Sequence, residues 1–385
     1  MEEKQLKAEL LAELHDNILP FWQTHMTDPE GGFFGRMTGC GELRPDAERS
    51  AILYGRILWT FAAAYRTTRR DEYLRTATQA RDYLLEHFVD RRHGGVFWSV
   101  DAQGRPLDTK KQFYALAFAI YGLSEYARAT GDAQTTEEAA ALYRAIEAHS
   151  YDPAGNGYEE AATRDWQPIA DMRLSDKDAN ERRTMNTHLH ILEAYTNLLR
   201  VWPDAALRRQ TRNLLEIFLD RIADPRTGHL GLFFDEHWQL RSEGVYSFGH
   251  DIEASWLMLE TAFVLGDDAL TERTRACCAR IADAALEGYL EDGSLLYERH
   301  ADGTLDRERH WWVQAECVVG LFYLYRFHGR REALAPALKT WSYIRRHLVD
   351  REGGEWWWSI LPDGSINRRD DKAGFWKCPY HNGRL

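Results

Sequence analysis

The chain has 385 residues, 44% of them apolar and 12% aromatic, which is ample for a large buried core. Its formal charge of −12 argues against a phosphate-tracking basic surface, so no nucleic-acid partner is expected. No apolar run approaches the ~20 residues of a bilayer span, and five cysteines, two of them adjacent (Cys277 and Cys278), do not form a disulfide framework; a reduced cytoplasm without membrane association is the expectation.

The acidic, amphipathic start predicts a helix over KAELLAELHDNILPFW, not a leader peptide. A Gly-aromatic stretch follows, GGFFGRM at residue 31, and it begins a series. Next come RSAILYGRILWTFAAAYRTT, apolar all round, and RDEYLRTATQARDYLLEHFVD, which is amphipathic. GGVFWSVDAQGRPL at 94 then precedes YALAFAIYGLSEYARATGD and AQTTEEAAALYRAIEAHS. GNGYEEAATRDWQPI at 155 precedes THLHILEAYTNLLRVW and DAALRRQTRNLLEIFLDRIA. GHLGLFFDEHWQLR at 228 precedes IEASWLMLETAFVLGD and ALTERTRACCARIADAAL, and GSLLYERHADGTLD at 293 precedes WWVQAECVVGLFYLYRFHG and REALAPALKTWSYIRRHLV. GGEWWWSILPDGSIN at 353 leads into a last segment ending FWKCPYHNGRL.

The first glycines of these six stretches lie 60 to 73 residues apart, which is the mark of a repeat architecture. Several of the stretches read as a short hairpin, an aromatic strand turning through a sequence such as DAQG, ADG or PDG into a polar one. An all-round apolar helix alternating with an amphipathic one implies an inner and an outer layer. Six such units close into an all-α (α/α)6 barrel, with an open solenoid as the alternative. The terminal segment supplies the partner that the first helix needs for closure. No Pro/Ser-rich linker interrupts the chain, so residues 1–385 are expected to form one domain.

Polar residues recur near the starts of the inner helices: Arg56, Tyr114, His188 and His190, His250 and Glu253, Trp312 and Glu316. His188, His250 and Trp312 follow one another at intervals of 62 residues, and His381 lies in the closing segment. In a closed ring these positions converge on one mouth. A single histidine on an apolar helix face is usually a core residue bonded to a carbonyl, and a single tryptophan there is usually packing; recurrence at equivalent positions favours a site. Glu253 and Glu316 need partners if buried, and Arg56 is a candidate partner. His250/Glu253 and His190/Glu193 have i,i+3 spacing, but the order and the absence of Cys/His pairs argue against a metal centre, and none is expected. Two carboxylates could serve an inverting glycosidase. Several imidazoles beside an arginine better suit moving a proton on carbon.

GRILWTF, MNTHLHILEAYTNLLR, SFGHDIEASWL, HWWVQAE and FWKCPYHNGR together resemble the cellobiose 2-epimerase branch of the N-acylglucosamine 2-epimerase superfamily, from about residue 10 to the C terminus. The resemblance implies cofactor-independent, metal-independent epimerisation at C2 of the reducing-end sugar of a β-1,4-linked disaccharide, by a monomer. It implies His250 and His381 as an acid/base pair on opposite faces of C2, with His188 assisting ring opening. It implies Arg56 as the group that holds the enediol oxygens. Tyr114, Asp176, Asn186, Glu253, Trp312, Glu316 and Trp376 are implied as contacts to sugar or as orienters of the histidines, Glu253 for the His250 ring. Trp256 is expected to pack beneath the site. A monosaccharide epimerase or isomerase of the same superfamily is the neighbouring reading.

Overall fold

Six outer helices enclose six inner ones in the computed structural model, which describes residues 2–385. The outer helices span residues 2–26, 71–88, 133–149, 205–222, 268–285 and 334–348. The inner helices are Ala51–Thr68, Phe113–Thr130, Met185–Leu199, Phe248–Leu265, Trp311–Phe327 and Tyr380–Gly383. Inner faces are apolar on all sides because each inner helix is covered by outer helices behind and by its ring neighbours beside it; Ala51, Ile52, Leu53, Tyr54, Ile57, Leu58 and Phe61 are all buried. No helix among the described residues is long and apolar enough to cross a membrane.

Strand pairs show that the ring is closed. The two residues before each inner helix pair with the hairpin of the following repeat: Arg49–Ser50 with Ser99–Val100, Lys111–Gln112 with Ala161–Ala162, and Arg183–Thr184 with Phe233–Phe234. Tyr246–Ser247 with Glu298–Arg299 and Arg309–His310 with Ser359–Ile360 continue the series. Ala373–Gly374 then pairs with Arg36–Met37 of the first hairpin, so the last unit docks on the first and an open solenoid is ruled out.

Two features differ from the sequence expectation. Each repeat holds two successive tight turns, not one hairpin, because the end of the outer helix also bridges across the Gly-containing turn, as in Val89 to Val96 and Val349 to Trp356. The sixth inner helix is a single turn, Tyr380–Gly383. It starts after Pro379 and stops at Gly383, beyond which Arg384 leaves the helical conformation.

An ion pair with a buried cation ties the first turn to the next inner helix in four of the six repeats. Arg49 pairs with Asp28, Lys111 with Asp90 at 3.1 Å, Arg183 with Asp152 at 2.6 Å, and Lys372 with Asp350. In the fourth repeat His229 and Asp251 replace it at 2.7 Å. Inner helices 1 and 2 also approach closely at glycines: a Cβ on Gly55 would lie 2.6 Å from the Phe118 carbonyl oxygen, and one on Gly122 would lie 2.5 Å from the Gly55 carbonyl oxygen. That approach lets Arg56 lie against Phe118, with its guanidinium carbon 4.2 Å from the ring centre.

These clamps should matter because Lys111 is wholly buried and its countercharge comes from Asp90. Asp90→Ala leaves the ammonium uncompensated, and the expected loss is about 3–5 kcal/mol. Urea denaturation of wild type and variant measures it; a loss below about 1 kcal/mol would contradict the clamp.

Candidate active site

Arg56, Tyr114, Asn186, His190, His250, Glu253, Trp311, Trp312, Trp376 and His381 line a cavity of about 360 Å3 at the mouth of the ring. They come from the first two turns of five inner helices and from the closing segment. The residues capping the inner helices explain the layering. Ser50, Thr184 and Ser247 cap their helices with side-chain oxygens, while Gln112 and His310 occupy the same place in the other two. Six residues beyond these caps stand Arg56, Phe118, His190, Glu253 and Glu316, and two residues beyond stand Tyr114, Asn186 and Trp312. These two layers build the wall and floor.

Three imidazoles share one arrangement. His190 Nδ1 meets Glu193 Oε2 at 2.9 Å, His250 Nδ1 meets Ser247 Oγ at 2.7 Å, and His381 Nδ1 meets Glu316 Oε1 at 2.7 Å. Facing a carboxylate, the His190 and His381 Nδ1 carries the hydrogen and donates it, leaving an Nε2 lone pair. Trp312 lies between the other two rings, 4.9 Å from His250 and 5.5 Å from His381 by ring centres. Burial, reinforced by His190, pushes His250 down to about 3. Burial, then Arg384 and Arg56, push His381 well below the usual imidazole range. Both rings are therefore neutral at pH 7.

His188, expected to take part in catalysis, is not brought into the cavity. Its Nδ1 bonds the Thr184 carbonyl oxygen at 2.6 Å and its Nε2 accepts the Tyr158 N–H at 3.0 Å, so both nitrogens are used by backbone. Two residues on, roughly 200° round the helix, His190 occupies the cavity wall instead.

Behind the histidines lies a residue that sequence reasoning did not single out. The Arg384 guanidinium bonds Glu193 at 2.7 Å, Glu316 at 2.6 Å and also Glu253, and sits 4.6 Å over the Trp256 ring. Glu253 was expected to orient His250; it makes no bond to that ring, and its Oε1 lies 3.9 Å from His381 Nδ1. Burial and the neighbouring Glu316 push Glu253 up to about 7. Glu316 is raised by burial and accepts the Trp256 indole N–H at 2.9 Å, so Trp256 does more than pack. Burial opposes the charge on Glu193, but Arg384, His190 and Tyr380 outweigh it and hold that carboxyl below its ordinary range. Neither glutamate pairs with Arg56. Glu253, Glu316 and His381 hold ligand atoms within 4.8 Å of one another, yet Arg384 already bonds both carboxylates and supplies the positive charge there.

Arg56 donates to the Trp376 carbonyl oxygen at 3.0 Å and to the Tyr114 hydroxyl at 2.9 Å, and its buried Nε has no protein partner. Asn186 Oδ1 is likewise buried and unpartnered on the cavity wall. Asp176 and Asp178 both line the cavity from the rim loop; the Asp176 side chain is fully exposed, whereas Asp178 is half-buried and accepts from Ser175 N and Oγ, each at 2.9 Å. His310, Tyr297, Trp358 and Lys177 also line the cavity without having been marked by the sequence. His310 could have been found: it stands at the cap position of its helix, equivalent to Ser247. Under the rim loop the cavity adjoins a second of about 640 Å3, which shares Asn186, His250 and Tyr297 with it.

Imidazoles with one nitrogen anchored surround a cavity at the mouth of an (α/α)6 ring, which makes that mouth the candidate active site. The sequence profile of the N-acylglucosamine 2-epimerase (GlcNAc 2-epimerase) family matches residues 32–382, and the chain belongs to that family. It is a carbohydrate epimerase. It is 56% identical over 382 residues to a cellobiose 2-epimerase of Bacteroides fragilis, covering 99% of this chain and 97% of that one. It is 38% identical to a cellobiose 2-epimerase of Ruminococcus albus, covering 98% and 96%. Among solved structures, the cellobiose 2-epimerase of Bacillus thermoamylovorans superposes with a TM-score of 0.95 at 38% identity, covering 99% and 97%.

The contrast between His188 and its neighbours has a measurable consequence. Burial pushes His188 down to about 4, while an unfolded histidine titrates near ~6.5. Between those values the unfolded chain binds more protons, so the stability owed to neutral His188 is complete above about pH 6.5 and is lost as pH falls towards 4. His188→Gln keeps a donor and an acceptor but does not titrate. From pH 7 to pH 4 the stability difference in urea should move in the variant's favour by about 3 kcal/mol; a pH-independent difference would contradict the assignment.

Proposed function

We propose that the protein epimerises C2 of the reducing-end glucose or mannose of β-1,4-linked disaccharides such as cellobiose, lactose and mannobiose. The observation that carries this reading is the set of three cavity imidazoles, each anchored through Nδ1, beside the buried cation Arg56. The relatives named cellobiose 2-epimerase support the disaccharide, and the second compartment under the rim loop offers room for a second ring.

In this reading the hemiacetal opens first, a proton passing from O1 to the ring oxygen with His190 in the helping role. One of His250 and His381 takes the C2 proton as a neutral imidazole and becomes imidazolium. The other, first protonated by solvent water, gives that proton to the opposite face, and the first ring then returns its proton to solvent. The intermediate is a cis-enediolate whose negative oxygens need fixed donors in a water-poor site, which Arg56 supplies. Asn186, Tyr114, Trp312 and Trp376 contact the sugar, and Asp176 and Asp178 on the rim loop reach it from the cavity mouth. Glu193 and Glu316 hold the imidazoles in the tautomer that leaves Nε2 free, and Glu253 completes their buried charge set. The enzyme works as a cytoplasmic monomer without cofactor.

A glycosidase is disfavoured by geometry. Inversion needs two carboxyls ~6.5–9.5 Å apart across the scissile bond, whereas Glu253 and Glu316 share one Arg384 nitrogen and Glu316 lies behind the cavity wall. Incubation of cellobiose in D2O should give glucosyl-mannose with deuterium at C2, read by NMR. Free glucose would instead indicate hydrolysis, and turnover of mannose or N-acetylglucosamine but not cellobiose would indicate the monosaccharide enzyme. His250→Asn and His381→Asn should each lower kcat about 10²–10⁴-fold with KM little changed; full activity in either would overturn the acid/base roles.

A further inference from the structure

Glu355 holds a backbone conformation that its side chain disfavours. In the first turn of repeats one, two and six, Asp28, Asp90 and Asp350 donate their N–H groups to the carbonyls of Gly32, Gly95 and Glu355, so these three positions are equivalent. Gly32 and Gly95 have φ of +71° and +70°, and Glu355 has φ of +62°. This left-handed region suits glycine and strains a residue with a Cβ. Such strain persists where the surroundings over-determine it, and it points towards function more than towards stability.

The surroundings identify what the side chain does. Glu355 is fully buried, and its carboxylate accepts from Lys377 Nζ at 2.9 Å, from Asn382 Nδ2 at 2.8 and 2.9 Å, and from the Trp356 N–H at 3.0 Å. Its own N–H is held by Asn17 Oδ1 at 2.8 Å. Lys377 is equally buried, 5.4 Å over the Trp311 ring. Lys377 and Asn382 bracket the segment that delivers His381, and Arg384 follows directly. The sixth inner helix is only one turn long, so it has no helical stem to fix its direction. Buried ion pairs are seldom more stable than apolar packing, and glycine would fit this backbone without strain.

We propose that Glu355 is a positioning residue, which aims His381 into the cavity by gripping both ends of residues 377–382. The proposal rests on the catalytic role given to His381. The test compares wild type with Glu355→Gly/Lys377→Met, which removes the strain and both buried charges together. The substrate-free His381 ring is read by ¹⁵N-histidine NMR, and kcat and KM are read on cellobiose. The expected result is a folded variant whose His381 signal has shifted or broadened, with kcat down at least tenfold and KM within twofold. An unchanged His381 signal, or kcat within twofold of wild type, would overturn it. Should the double variant not fold, Asn382→Ala decides by the same readouts, with at least a threefold loss of kcat and a moved His381 signal expected, and unchanged values overturning it. If wild type turns over no sugar, the functional reading fails while the NMR comparison still decides the positioning.

Discussion

One guanidinium holds the catalytic end of this ring together. Arg384 stands among three buried carboxylates, Glu193, Glu253 and Glu316. Removing three acids from water is costly unless fixed positive charge and hydrogen bonds replace the solvent. Arg384 does this with a planar fork that serves several oxygens at once, which a lysine ammonium could not reproduce. Two of the acids thereby remain free to grip imidazoles, Glu193 for His190 and Glu316 for His381. The tautomer of each ring, and the direction of its free nitrogen, follow from that arrangement. Arg384 also helps keep His381 neutral, so the ring faces the cavity with an uncharged nitrogen.

The ring explains how residues so far apart in sequence meet. Each repeat delivers one inner helix start to the same mouth, so single substitutions at equivalent positions furnish an arginine, a histidine and two carboxylates in one layer. The short sixth inner helix completes the set. Because only one turn of helix enters, the centre is left open for Arg384, His381 and the last residues of the chain. Cyclic strand pairing and Asp–Lys or Asp–Arg clamps on buried cations at the turns then fix the mouth.

The ring itself was legible because two physical periods coexist in the sequence. Glycine-aromatic turns recur every 60 to 73 residues, and apolar helices alternate with amphipathic ones between them. Arg56, His250, Trp312 and His381 were also legible as cavity residues, since repeat equivalence places them at the mouth. The choice between His188 and His190 was not. An inner helix is apolar on every side, so its pattern identifies no face, and spacing on His250 and Trp312 slips by a residue per repeat relative to the capping residues. Counting from Thr184 and Ser247 instead puts His190 and Glu253 in the same layer. Arg384 escaped notice because a charged residue at a chain end ordinarily lies in solvent, and nothing local signals that this end is buried. The second tight turn of each repeat was hidden because its bridges join a helix end to a strand.

The most direct measurement of this account is a pH titration of the histidine ¹⁵N resonances in wild type and in Arg384→Gln. In wild type, His381 should remain neutral, protonated on Nδ1, from pH 8 to pH 5. Without the guanidinium, three carboxylates lose their countercharge, and His381 should become cationic or change tautomer within that range, with loss of epimerase activity. A His381 that stays neutral, in the same tautomer and at full activity in the variant, would contradict the central role of Arg384.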